Sequence, residues 1–259
     1  KELVGGALSF YAAAAAAKTG GVHVFVAEDR DAAAYLMNDF YNLLDEKQVY
    51  FFPSSYKRSV AYGAEDAQGV VQRTAAMNAV KGFTKGYLIV CTYPEALAER
   101  VVDAATLQRD TIAVKLGDKI SIAVLEDALA DANFTRVDFV YEPGQYSVRG
   151  GIVDVFSYSE SKPYRIDFFG DEVDSIRRFN ISSQLSADKL DRVEIVPNLN
   201  AGEAPRVSFV QFAGSSATCW FYDADYVLRR VNDLRRKVLA DMEEPGQIDR
   251  LLTSRNVLL

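Results

Sequence analysis

A loop that cradles nucleotide phosphates needs the pattern G-x-x-x-x-G-K-[ST]. Its backbone amides wrap the phosphates and its Lys reaches the β and γ groups. The nearest stretch, Gly5-Gly6-Ala7-Leu8-Ser9, opens the first expected helix with no Lys or Thr following in register. Lys18-Thr19 stands at the far end of that helix, preceded by Ala17. The apolar run Tyr87–Thr92 is not followed by an acidic pair; Glu95 is the only acid close by and suits the first turn of a helix. The single His23 lies inside the apolar run VHVFVA and reads as a satisfied core histidine rather than a base or ligand. With one His, and with Cys91 and Cys219 far apart, there is little material for a zinc site, a Ser-His-Asp triad or a disulfide framework. ATP hydrolysis and metal chemistry are disfavoured, and neither a catalytic residue nor a cofactor is expected.

Binding chemistry is better represented. In Tyr164–Phe169 (YRIDFF) the strand period of two puts Tyr164, Ile166 and Phe168 on one face, expected to be the core. Arg165, Asp167 and Phe169 share the other face, expected to see solvent. Two consecutive Phe residues cannot both face the core of a regular strand. An exposed Phe beside an Arg is the composition of an interface hot spot. A strand packed on both sides, or a bulge that tucks Phe169 inside, would also satisfy the pattern.

The neighbouring elements position that strand. Gln145–Arg149 and Ile152–Ser157 read as strands flanking Gly150-Gly151, a bulge or tight bend. Ser157–Pro163 reads as a loop, Gly170-Asp171 as a turn, and Glu172–Phe179 as a further strand. Asp171, Glu172 and Asp174 read as a turn and a solvated strand edge.

Upstream, helices are expected at Val4–Lys18, from Asp29 or Asp31 to Leu44, at Glu65–Lys81, and from Pro94 to about Val102. They alternate with strands Val22–Ala27, Val49–Phe52 and Tyr87–Thr92, which predicts a parallel sheet covered on both faces. From Arg109 the pattern changes to α+β. Thr111–Leu116 is strand-like, Ile122–Ala132 is an amphipathic helix capped by Ser121, and Leu190–Val196 is a strand. Asn198–Pro205 reads as a linker. Val207–Phe212 and Thr218–Tyr222 then read as strands and Asp225–Met242 as a helix that rejoins the first domain.

At 259 residues the chain is long enough for two domains or one large one. A formal charge of −7 and a pI near 4.9 argue against a broad basic face for duplex DNA. Arg177-Arg178 and Arg235-Arg236-Lys237 are the nearest basic patches, and both read as solvated surface charge. No apolar run approaches the ~20 residues that span a bilayer, and no signal peptide is present. A cytoplasmic protein with reduced thiols is expected. A start at Lys1 and an apolar end, Val257-Leu258-Leu259, suggest part of a longer protein.

The stretch Tyr146–Asn180, with RGGIVDVF followed by PYRIDFFGDEVDSIRRFN, resembles domain 2 of the bacterial transcription-repair coupling factor family, Mfd. The excision-repair helicase UvrB carries a similar domain with a looser match. Weaker similarity covers the whole chain in the order of the UvrB-like N-terminal module of Mfd. The resemblance implies a discontinuous α/β domain, residues 1–108 and 199–259, of degenerate helicase-like (RecA-type) fold with a worn-away P-loop. An α+β domain, residues 109–198, is inserted into it. By resemblance, that inserted domain recruits UvrA, the damage-recognition ATPase of nucleotide excision repair. The family's implicated residues fall on Arg149, Arg165 and Phe169. Arg149 is less secure from its own sequence context, since it could instead pair with Asp154 or Asp167 within the sheet. The full-length parent is expected to be an ATP-dependent DNA translocase that meets RNA polymerase and DNA through parts not in this chain. The aromatic hairpin of UvrB has its counterpart in Tyr50–Tyr62, which is too short to form it and reads as a surface loop, with base stacking as the other use of its Tyr and Lys-Arg residues. A divergent nucleotide-dependent DNA-remodelling module, or a DNA-binding module like UvrB, is the alternative function.

Overall fold

The computed structural model describes residues 6–55, 66–200 and 204–242. In chain order its elements are α1 (Ala7–Thr19), β1 (Gly21–Val26), α2 (Arg30–Leu43), β2 (Val49–Phe51), α3 (Ala67–Gly82), β3 (Tyr87–Thr92), α4 (Pro94–Ala98), β4 (Val101–Val102), α5 (Ala104–Asp110), β5 (Ile112–Lys115) and α6 (Ile122–Asp131). They continue as β6 (Thr135–Arg136), β7 (Gln145–Arg149), β8 (Ile152–Val155), β9 (Tyr164–Phe169), β10 (Glu172–Phe179), β11 (Ser186–Leu190), β12 (Arg192–Ile195), β13 (Arg206–Val207), α7 (Phe209–Ala213), β14 (Thr218–Phe221) and α8 (Ala224–Met242). The chain is mixed α/β and divides into two compact units, Lys1–Ala104 with Ala204–Leu259, and Ala105–Glu203.

The first unit holds a parallel sheet in the order β14-β1-β3-β2. In β1 and β3 every residue after the first is buried. Strands of a parallel sheet are covered on both faces, so they carry near-continuous apolar runs, here VHVFV and LIVCT. Asp29 caps α2, accepting from the Ala32 amide at 2.8 Å. His23 is buried in β1 and fully engaged. The Trp220 indole can only donate, so it fixes His23 Nδ1 as the acceptor at 3.0 Å. The ring proton then sits on Nε2, within 2.9 Å of the Gly20 carbonyl and 3.3 Å of Thr19 Oγ1. Cys91 is buried and Cys219 half-buried, both as free thiols, and burial pushes both thiols up from their ordinary pKa.

Two local expectations fail in this unit. The helix that begins at Pro94 stops at Ala98 rather than running to Val102, because Glu99 turns extended and sends its carboxylate inward. Glu99 is 4% exposed. Its carboxylate accepts from the Ser55 amide at 3.1 Å, from Ser55 Oγ at 2.6 Å and from Ser54 Oγ, and Arg73 Nη1 lies 3.7 Å away. Arg73 is itself buried over the Phe52 ring and donates to the carbonyls of Pro53, Ala96 and Glu99. The chain beyond Glu99 is then free to form β4 against β13. Of the expected strand Val207–Phe212, only Val207 lies in a strand, at the end of β13. Ser208 Oγ accepts from the Gln211 amide and starts α7, which lays Phe209 on Phe52 with ring centroids 3.8 Å apart.

In the second unit, six strands form a sheet in the order β11-β10-β9-β8-β7-β6, antiparallel except for the β6–β7 pair. The expected strand Leu190–Val196 is divided: β11 ends at Leu190, and β12 from Arg192 pairs with β5 instead. Ser121 caps α6, whose Leu125 and Leu129 pack with Tyr146, Val153, Tyr164, Ile166 and Ile176 in the main core. A second, smaller core of Val140, Phe156 and Phe179 stands apart from it. Among the described residues no helix is long and apolar enough to cross a membrane. The expected features at Val4 and Gly5, Tyr56–Tyr62, Glu65 and Val257–Leu259 lie outside the described residues, as do the side chains of Arg235 and Lys237.

Glu99→Ala should remove the Glu99 carboxylate from beside buried Arg73 and take away the acceptor of the Ser55 amide and hydroxyl. Breaking one partner of such a pair costs about 3–5 kcal/mol, and urea unfolding followed by Trp220 fluorescence should register a loss of that size.

Candidate partner-binding face

The register of β7, β8 and β9 collects the candidate residues on one face. Ser147 opposes Asp154, Asp154 opposes Arg165, and Arg165 opposes Arg177 on β10. One row on, Arg149 opposes Ile152 and Ile152 opposes Asp167. Phe169 follows two residues beyond Asp167 on the same side of the strand. The turn at Gly150-Gly151 is a two-residue hairpin, not a bulge, so Arg149 and Ile152 stay paired across it. Gly150 has φ +60°, the left-handed region that glycine enters freely. A Cβ on Gly151 would meet the Phe168 carbonyl at 3.0 Å, and the Phe168 amide donates to the Gly151 carbonyl at 2.7 Å. The missing side chain lets the end of β9, which carries Phe169, close onto the hairpin.

The centre of this face is a carboxylate. The Asp154 side chain is 2% exposed. It accepts from Arg149 Nη2 at 2.5 Å, from Arg165 Nε at 2.7 Å and from Arg165 Nη2 at 2.8 Å. The Arg165 pair is two-pronged, the geometry in which a guanidinium fork matches a carboxylate. That hydrogen bonding, above all, raises the Arg165 pKa beyond its already high value. Arg165 also donates to the carbonyl and side-chain oxygens of Gln184, both at 3.3 Å, and lies over the Phe179 ring at 4.5 Å. Asp167 holds a parallel set, accepting from Ser175 Oγ and Arg177 Nη2. Three guanidinium groups meet two carboxylates at the centre of this face.

The strand face expected for Arg165, Asp167 and Phe169 is the one found, but its exposure is uneven. Tyr164 and Ile166 are buried and Phe168 is partly buried against the main core. Phe169 is 84% exposed. Arg165 does not see solvent freely: its side chain is 15% exposed, because Gln184 and Asp154 enclose its head and Phe179 its flat face. Arg149 forms the intra-sheet pair with Asp154 while remaining 36% exposed, with its guanidinium over the exposed Phe139 ring at 4.9 Å. Arg177 and Arg178 are not free surface charges, being paired with Asp167 and Glu160. Phe139 and Gln184 went unread in the sequence. A Phe in VDFVYEPG gave the only signal for the first, and nothing local marks the second. Among the described residues, no group of three or more His, Cys, Asp or Glu side chains could hold a metal. Lys18 and Thr19 sit in the last turn of α1, where Thr19 Oγ1 donates to the Ala15 carbonyl.

Residues 112–200, which contain this face, match the UvrB interaction domain family. About three quarters of the chain is similar to transcription-repair-coupling factors. It is 28% identical to that of Escherichia coli (strain K12) over 197 residues, 76% of this chain and 17% of the relative. It is 28% identical over 196 residues to that of Bacillus subtilis (strain 168), covering 75% of this chain and 16% of the relative. A stretch of 128 residues, 49% of this chain, is 30% identical to 11% of the factor from Haemophilus influenzae. The match falls within the second unit, Ala105–Glu203. The chain spans about a sixth of the length of the first two relatives.

Asp154→Ala should destabilise the second unit by about 3 kcal/mol, since it strands two guanidinium groups of which one is largely covered. Phe169→Ala, at a water-exposed position, should stay within about 0.5 kcal/mol of the parent, with urea unfolding of both variants followed by far-ultraviolet circular dichroism, which sees both units.

Proposed function

We propose that the chain is a non-catalytic module that recruits UvrA in transcription-coupled nucleotide excision repair. The partner-binding residues in this reading are Arg149, Arg165 and Phe169. The observation that carries it is Phe169, a large aromatic left 84% exposed on the same strand face as the immobilised Arg165, within the residues that match the UvrB interaction domain. Aromatic and Arg side chains are the commonest energetic anchors of interfaces. Arg149 and Phe169 offer surface to the partner, while Arg165 is mostly enclosed and holds the face in shape.

The first unit, residues 1–108 and 199–259, is in this reading a degenerate RecA-type domain of the UvrB domain 1 kind, and residues 109–198 are the inserted UvrA-binding domain. Loss of nucleotide chemistry is supported by Lys18 and Thr19, which stand at the wrong end of α1 to meet phosphates. The whole parent is an ATP-dependent DNA translocase of the cytoplasm, and its contacts with RNA polymerase and DNA belong to other parts of that protein.

Calorimetry of this chain with UvrA tests the reading. The parent should bind, and Phe169→Ala should weaken binding by about 2–4 kcal/mol with unchanged stability. Arg165→Ala should weaken binding too, with part of the loss shared by folding. A folded parent that does not bind UvrA overturns the proposal.

A further inference from the structure

A second surface lies in the first unit. A cleft of about 400 Å³ opens where β1 and β14 end, between those strands and the helices α1 and α2. Parallel α/β sheets bind ligands outside the carboxyl ends of their strands. Here Tyr11, Tyr35, Trp220, Phe221 and Tyr222 supply ring surface to the lining, and Glu28 and Asp39 supply charge. Among the described residues, none that lines the cleft is a Lys, Arg or His. Such a wall repels phosphate and favours a cation, because aromatic faces carry the negative end of the ring quadrupole.

The cleft is part rigid and part open. Trp220 is fixed by its hydrogen bond to His23 and by stacking on Phe25, with centroids 5.3 Å apart and planes at 12°. Asp39 is fixed by Ser9 Oγ, which donates to it at 2.5 Å. By contrast Tyr35 is 76% and Tyr222 68% exposed. Exposed aromatic rims around a fixed floor mark protein interaction sites more than enclosed metabolite cavities.

We propose that this cleft docks a basic segment of a protein partner, with an arginine or lysine side chain received among the rings and neutralised by Glu28 and Asp39. The surface is separate from the one assigned to UvrA and does not depend on that assignment.

Trp220 is the only Trp in the chain, so fluorescence excited selectively at Trp, beyond Tyr absorption, comes from this cleft. The test is a titration with a capped peptide carrying two arginines, alongside matched peptides with glutamine or glutamate in their place, and with ATP. The arginine peptide should give a saturable change that weakens as salt rises. Tyr35→Ala should weaken it about three- to tenfold, and Glu28→Gln about two- to fivefold. Both side chains are exposed, so both variants should fold like the parent. No saturable response to the arginine peptide overturns the proposal. So does equal affinity for the glutamine peptide, tighter binding of glutamate peptide or ATP, or unchanged affinity in both variants. None of these outcomes bears on UvrA binding, which is measured separately and through other residues.

Discussion

A carboxylate shut away from water cannot remain charged unless its hydration is replaced. Asp154 meets that demand by taking three hydrogen bonds from two guanidinium groups, one on each neighbouring strand. The outer face of the second unit depends on this arrangement. It ties β7, β8 and β9 into one register, because a slip of one residue would turn Asp154 into the main core and bring Val153 or Val155 out. It also sets Arg165 as a lid over Phe179, so that the smaller core is closed by a charged side chain rather than an apolar one.

The face therefore divides its labour. Its arginines have already lost much of their rotamer freedom in the free protein, so little is left to lose when a partner arrives. Phe169 is different: it projects from the end of β9, about 13 Å along the strand from Arg165 at the usual rise per residue. A stiff polar bed with one protruding ring suits specific recognition, since the bed excludes mismatched charge and the ring supplies contact area.

Period two in YRIDFF was enough to assign Phe169 to the outside and Ile166 to the inside. The apolar runs of β1 and β3 were enough to announce a parallel sheet. Other features depended on distant residues. A strand pattern tells which face Arg165 is on but not that Gln184, nineteen positions away, closes over it. The early stop of α4 follows from the attraction of Glu99 for Ser54, Ser55 and Arg73, none of them near it in sequence. Val207–Phe212 is apolar and aromatic enough to read as a strand, yet Ser208 as a cap and the Phe52 ring as a packing partner win. The aromatic cleft was invisible for the same reason, because Tyr11, Tyr35 and Trp220 become neighbours only through the sheet order.

That sheet order has a consequence for biosynthesis. β14 pairs with β1, and Trp220 reaches His23 across 197 residues. A ribosome adding about 5–20 residues per second would emit β14 roughly 10–40 s after its partner strand. During that wait the nascent chain displays one edge of β1 unpaired. If residues 105–203 fold first as their own unit, the flexible loop to be closed is roughly halved, which lowers the closure cost by about 0.6 kcal/mol. The inserted unit would then act as its own assembly clamp, shortening the return path of the chain before the parallel sheet is completed.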